Sequence, residues 1–184
     1  MKLLENKGIC ILLMLVLMAG GFWLGGYKGL SGQYSKVEDV FFVGEDGDGI
    51  CVANDLNERV TAAQNLVTIA SNYAGVSDAR KAVSDAAAAL SSNLQSSDVA
   101  AIIESNRQLD TAMTALYNDL GQESLSQNHE KYRQSLYANF NSRGDIISHD
   151  PYNNYAQEYN QLLKGFPASL LVAITPAHEA VIFY

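Results

Sequence analysis

The side chains with the chemistry to act on a substrate are few, and their spacing suits no standard site. Three histidines, His129, His149 and His178, form no ligand pair at helical spacing. His178-Glu179 opens a string like the HExxH zinc helix, but Ile182 stands where the second histidine is needed. His149-Asp150, with Asp145 nearby, offers a polar cluster, and a helix cap beside a solvated histidine accounts for the same residues. The run GEDGDG at 44–49 begins a calcium-loop pattern with Asp46 and Asp48; Ile50 and Asn57 then replace two required oxygen ligands. A solvated acidic turn is the expectation there. With no GxSxG, CxxC or Walker string either, the chain is expected to hold no catalytic residue, no metal and no cofactor, and not to be an enzyme.

Charge and length narrow the partners. A formal charge of -8 and a pI near 4.7, with no basic cluster to override them, oppose a phosphate backbone, so nucleic acid is not expected to bind. At 184 residues the chain suits a membrane segment plus one ordinary domain. Cys10 lies in an apolar run and Cys51 stands alone in the rest, so no disulfide framework is implied.

That apolar run, GICILLMLVLMAGGFWLGGY, lies between Lys7 and Lys28 and matches the roughly 20 residues a bilayer-spanning helix needs. Trp23 and Tyr27 fall at its second end, where amphipathic rings favour the interface. Residues 8–27 are therefore read as a single-pass contact with the lipid bilayer. Ala19-Gly20-Gly21 admits the rival reading of a cleaved signal peptide, against which the apolar run continues to Gly26. Gly21, Gly25 and Gly29 have GxxxG spacing, equally explained by the frequency of glycine in membrane helices. Lys2 and Lys7 balance Lys28 and Lys36, so the charges favour neither orientation.

Beyond the span, QYSKVEDVFF at 33–42 predicts a juxtamembrane helix, and the glycines at 44–49 predict its interruption. Asp55-Leu56-Asn57-Glu58 reads as a capping box opening a helix that runs to Gly75, with Leu56, Val60, Ala63 and Val67 on its apolar stripe. Ser77 is expected to cap a second helix striped by Val83, Ala86 and Leu90, and SSNLQSSD at 91–98 to form a loop in which Ser97 caps the third. The third stripe is Val99, Ile102, Asn106, Leu109, Met113, Leu116, Leu120. Asn106 is its one polar member; a tilt to the edge is the ordinary outcome, and burial would fix register. Leu125, Tyr132, Leu136 and Phe140 predict a fourth helix, with a break near 144–150 before Pro151.

Past that break, the stretch DPYNNYAQEYNQLLKGFP repeats Tyr152, Tyr159 and Phe166 at intervals of seven, with Asn153, Asn160 and Pro167 directly behind. The pattern predicts an aromatic heptad seam ending at the proline, read as core or as a binding face for a protein or peptide. The apolar tail after Pro167 is too short to span a bilayer and must lie along other helices or a partner.

At these residues the chain resembles the LemA family of bacterial membrane proteins. Tyr152-Asn153, Tyr159-Asn160 and Phe166-Pro167 match the family's YN, YN, FP series; Arg59, Asn65-Leu66-Val67, Tyr73 and Ala79-Arg80 match further back. Gln64 replaces the family's proline, Asn141-Ser142 its Thr-Glu pair, and Pro151 has no counterpart, which marks a divergent member. The resemblance implies an all-α protein: an N-terminal anchor at 1–30, a juxtamembrane segment with the acidic turn at 31–53, and an elongated antiparallel helical bundle of four-helix type at 54–184. It further implies a bacterial-envelope location, no established reaction, and association of some members with membrane-bound zinc proteases. The expected role is a non-enzymatic scaffold or adapter with a protein partner or self-association; the alternative is a receptor for a small molecule or peptide beside the aromatic last helix.

Overall fold

A computed structural model describes residues 7–183, so Lys2 and Tyr184 lie outside the described residues. Among the described residues the helices run in order: α1 Lys7–Phe42, α2 Val52–Ala70, α3 Ser77–Ser96, α4 Val99–Leu120, α5 Gln127–Ser148, α6 Tyr152–Lys164 and α7 Ala168–Val172. A 3₁₀ turn, Ala74–Val76, precedes α3. Among the described residues there is no strand. The chain divides into two compact units, one holding the residues up to Glu38 with Asn154–Ile182, the other Asp39–Asn153 with Phe183.

α1, whose residues up to Glu38 belong to the first unit, is the one described helix long and apolar enough to cross a membrane, and none of its most apolar window is buried within the chain. The predicted juxtamembrane helix is not separate. Nothing between Lys28 and Phe42 breaks an α-helical backbone, and α1 continues for 36 residues, roughly 54 Å at the α-helical rise. Toward the end of the span its exposure falls: Leu30 and Val37 are buried, and the helix gains neighbours from α6, α7 and the tail.

In the second unit, α2 packs against α3 and α5, and α3 against α4. Leu56, Leu66, Leu90, Leu109, Leu116 and Leu120 are fully buried there, each worth roughly 1.5–3 kcal/mol relative to exposure. The α4 stripe is buried at every predicted position. The acidic turn forms as expected, with Gly44, Gly47 and Gly49 at positive φ. Gly44 needs its glycine twice over: φ is +99°, and a Cβ would lie 2.6 Å from the Ile50 carbonyl oxygen.

Several predicted boundaries are corrected. α2 begins at Val52 with Cys51 as N-cap, because Asp55 is drawn off its own backbone by Arg143, whose Nη1 donates to Asp55 Oδ1 at 2.9 Å. It ends at Ala70 rather than running to Gly75, after which Ser71 and Asn72 spend their side chains on the last carbonyls. Ser77 caps nothing, since the 3₁₀ turn feeds α3 directly. The serine-rich 91–98 stretch is helical as far as Ser96; Ser97 alone turns left-handed, and Asp98, accepting from the Ala101 amide at 3.1 Å, caps α4. On α5 the buried residues are Arg133, Phe140 and Ile147, while Tyr132 is exposed and Leu125 lies outside the helix. The break before α6 falls at His149–Pro151, and Gly144 stays within α5.

Candidate interaction site

The YN repeat of α6 divides its labour between its two residue types. In the second unit, Tyr152 is buried with its ring edge-on to Phe41, 5.0 Å between centroids. Asn153 directly behind it accepts the Phe183 amide at 2.8 Å. In the first unit, Tyr159 is buried against Tyr34 at 5.5 Å, and Asn160 grips Ala180 at both main-chain groups: its amide nitrogen donates to the carbonyl at 2.8 Å and its oxygen accepts the N–H at 2.7 Å. Each tyrosine thus meets an aromatic ring of α1, and each asparagine holds the backbone of the C-terminal tail. A helix places adjacent residues about 100° apart, so one dipeptide serves two neighbours. Burial pushes the Tyr159 phenol above its ordinary pKa, with Tyr34 adding to it.

Phe166 does not extend the seam. α6 ends at Lys164, the chain turns at Gly165, and Phe166 is 85% exposed. Pro167, behind a cis peptide bond, is the N-cap of α7. Leu162 on α6 is also exposed, whereas Ala156 and Leu163 are buried.

Also in the first unit, Gln33, Lys36, Val37, Tyr155, Glu158 and Leu162, with Tyr159 behind them, line a half-open cleft of about 260 Å³. Lys36 Nζ lies over the Tyr155 ring, 5.0 Å from its centroid. Cation, carboxylate and phenol around an apolar floor could hold a small zwitterion or a peptide side chain.

The remaining residues that carry the sequence resemblance lie in the second unit. Arg59 is buried to 2% exposure, donating to Asn106 and paired with Asp110, its guanidinium stacked 3.9 Å from the Phe140 centroid. Asn106 is therefore not at the edge of its seam: it is fully buried because a cation on the facing helix needs its oxygen. Leu66 is buried, Val67 half-buried and Asn65 exposed. Tyr73 shares a 2.7 Å hydrogen bond with His129 Nδ1.

The chemistry of the other candidates is consumed locally. His149 is an exposed C-cap with Nδ1 2.8 Å from the Asp145 carbonyl oxygen, and Asp150, N-terminal to α6, accepts the Tyr152 amide at 2.9 Å. Burial raises the Asp150 pKa, with Asp55 and Glu45 adding repulsion and the Tyr152 amide opposing them. Burial likewise pushes up the Cys51 thiol, which donates to the Phe42 carbonyl at 3.3 Å. His178 lies against Tyr34, 5.0 Å between ring centroids. Among the described residues no group of three or more His, Cys, Asp or Glu side chains is placed to hold a metal ion.

Two sets of residues here are not predicted by the sequence patterns above. Tyr34 and Phe41 are seven apart, like Tyr152 and Tyr159, so a matching aromatic heptad on α1 is the signal that could have found them, within a stretch whose mixed composition suggests only a juxtamembrane helix. Asp110 stands one turn after Asn106, and the pair forms the cradle for Arg59. No protein-family model matches the chain, and no match is found among the curated proteins or the solved structures.

Proposed function

We propose that this chain is a LemA-like, single-pass membrane protein of a bacterial envelope whose α2–α5 form an elongated antiparallel bundle of four-helix type, acting as a non-enzymatic scaffold or adapter. The observation that carries the proposal is the exposure of the α1 span: a charge-free helical run from Gly8 to Tyr27, its most apolar window unburied, calls for an apolar medium outside the chain. Support for a structural role comes from contacts that the motif residues make within the chain itself: Arg59 with Asn106 and Asp110, Asn160 with Ala180. The resemblance adds a membrane-bound zinc protease as one class of partner.

The test is affinity purification of the full-length protein in mild detergent, against a control that keeps residues 1–34 and lacks the rest. A stoichiometric membrane protein recovered with the full chain and lost with the control is the expected result. Recovery of the protein alone removes the adapter role.

A second reading rests on the cleft beside Tyr155: a receptor for a small zwitterion or peptide. Its signature is a ligand-dependent rise in unfolding temperature that Tyr155→Ala abolishes. A broad metabolite and peptide screen without such a rise counts against it.

A further inference from the structure

Within the first unit, the segment after α6 is tied to the span near its second end. The Trp23 indole N–H donates to the Ile174 carbonyl at 3.3 Å, and Leu171, buried, sits so close to Gly26 that a Cβ on that glycine would run into it. Residues 165–177, GFPASLLVAITPA, carry no ionisable side chain. Leu171 and Ala168 turn inward, leaving Phe166, Leu170 and Ile174, spaced by four, at 85%, 56% and 62% exposure. Ile174 thus stands beside the tryptophan at the edge of an exposed apolar span, Phe166 and Leu170 belong to the same uncharged segment, and the nearest charges along it are Lys164 and Glu179.

We propose that Phe166, Leu170 and Ile174 form a second contact with the bilayer, lying in the plane of the interface that the span's Trp23–Tyr27 end occupies. The occupant is lipid, since the patch continues the apolar surface of the span and shares its lack of charge. Its depth is limited by the backbone: α7 has only five residues, and the irregular chain after it carries polar groups that hydrocarbon would leave unsatisfied. Apolar side chains therefore enter the acyl boundary while the backbone stays at headgroup level. This inference rests on the anchoring of α1 proposed above.

The test places a benzophenone amino acid at 166, 170 or 174 of the full-length protein, reconstituted in phosphatidylethanolamine–phosphatidylglycerol vesicles with radiolabelled acyl chains. Leu17 in the span and Glu158 on α6 serve as reference positions, and helical circular dichroism verifies each protein's fold. Light-dependent transfer of label at 166, 170 and 174, comparable to that at 17 and well above that at 158, is the expected result. Transfer at 17 but not at the other three overturns the second contact and leaves the anchor standing. A crosslink to a second copy of the chain, in place of lipid, also overturns it. Absence of transfer at 17 itself overturns the anchor, and this inference with it.

Discussion

Arg59 concentrates the energetic stakes of the second unit in one side chain. Its guanidinium meets Asn106, Asp110 and the face of Phe140, and among the described residues its buried Nε has no hydrogen-bond partner. Arg59→Ala should strand a buried amide and the Asp110 carboxylate together, costing about 3 kcal/mol, the low end for a broken buried pair because Asp110 is half exposed. The urea midpoint measures it, and a cycle with Asn106→Ala should show strong coupling. Asp150 makes the opposite case. Burial raises its pKa, so the folded protein binds the proton more tightly than the unfolded chain, and this carboxyl's contribution weakens as pH rises through the folded value. Asp150→Asn keeps an acceptor for the Tyr152 amide and removes the charge, so it should unfold at a higher temperature than the parent at pH 7. That gap should close as pH falls below the raised pKa; a gap unaffected by pH, read by thermal melts, would assign the effect to the cap instead. Arg59 is marked in the sequence only through the resemblance, because nothing local says that a lone arginine on an apolar face will find an asparagine and an aspartate one turn apart on α4.

Among the elements, α6 is where sequence and structure agree best and then part. The seven-residue repeat correctly places Tyr152 and Tyr159 on a buried face, since periodicity reports which side of a helix lacks solvent. Phe166 fails because periodicity does not report where a helix stops, and Gly165-Phe166-Pro167 stops this one first. The capping errors have separate causes: Asp55 and Ser77 have the right chemistry for N-caps, but the first is taken by Arg143 and the second is preceded by a 3₁₀ turn that needs no side-chain cap. The role of the asparagines is illegible in the sequence, since an amide aimed at a main chain some 20 or 30 residues away leaves no local pattern. Asn160→Ala should remove two hydrogen bonds from a buried site and free the tail around Ala180, at a cost of about 2–3 kcal/mol. Hydrogen exchange at the Ala180 amide reports it directly: protection should fall in the variant, while amides of α4 keep theirs.

For the whole molecule, the all-helical class is legible from scarce proline and several amphipathic stripes, and the span from an uncharged run of membrane length. The continuity of α1 is not, because a change from apolar to mixed composition looks like a boundary even when the backbone hydrogen bonds continue through it. Full-length protein should stay with membranes through alkaline carbonate and leave them only in detergent, whereas Leu17→Lys, at a centre that charges about 2.5–3.5 kcal/mol for a lysine, should raise the carbonate-soluble fraction. A chain beginning at Ser35 should keep a helical circular-dichroism spectrum from α2–α5; substantial strand signal would contradict the fold. The bond between Trp23 and Ile174 gives the molecule one more property. The chain has a single tryptophan, so emission excited beyond the tyrosine absorption band comes from the one indole that the tail touches. Any event that pulls the tail from the span should shift that emission, giving the unlabelled protein an optical signal of its own.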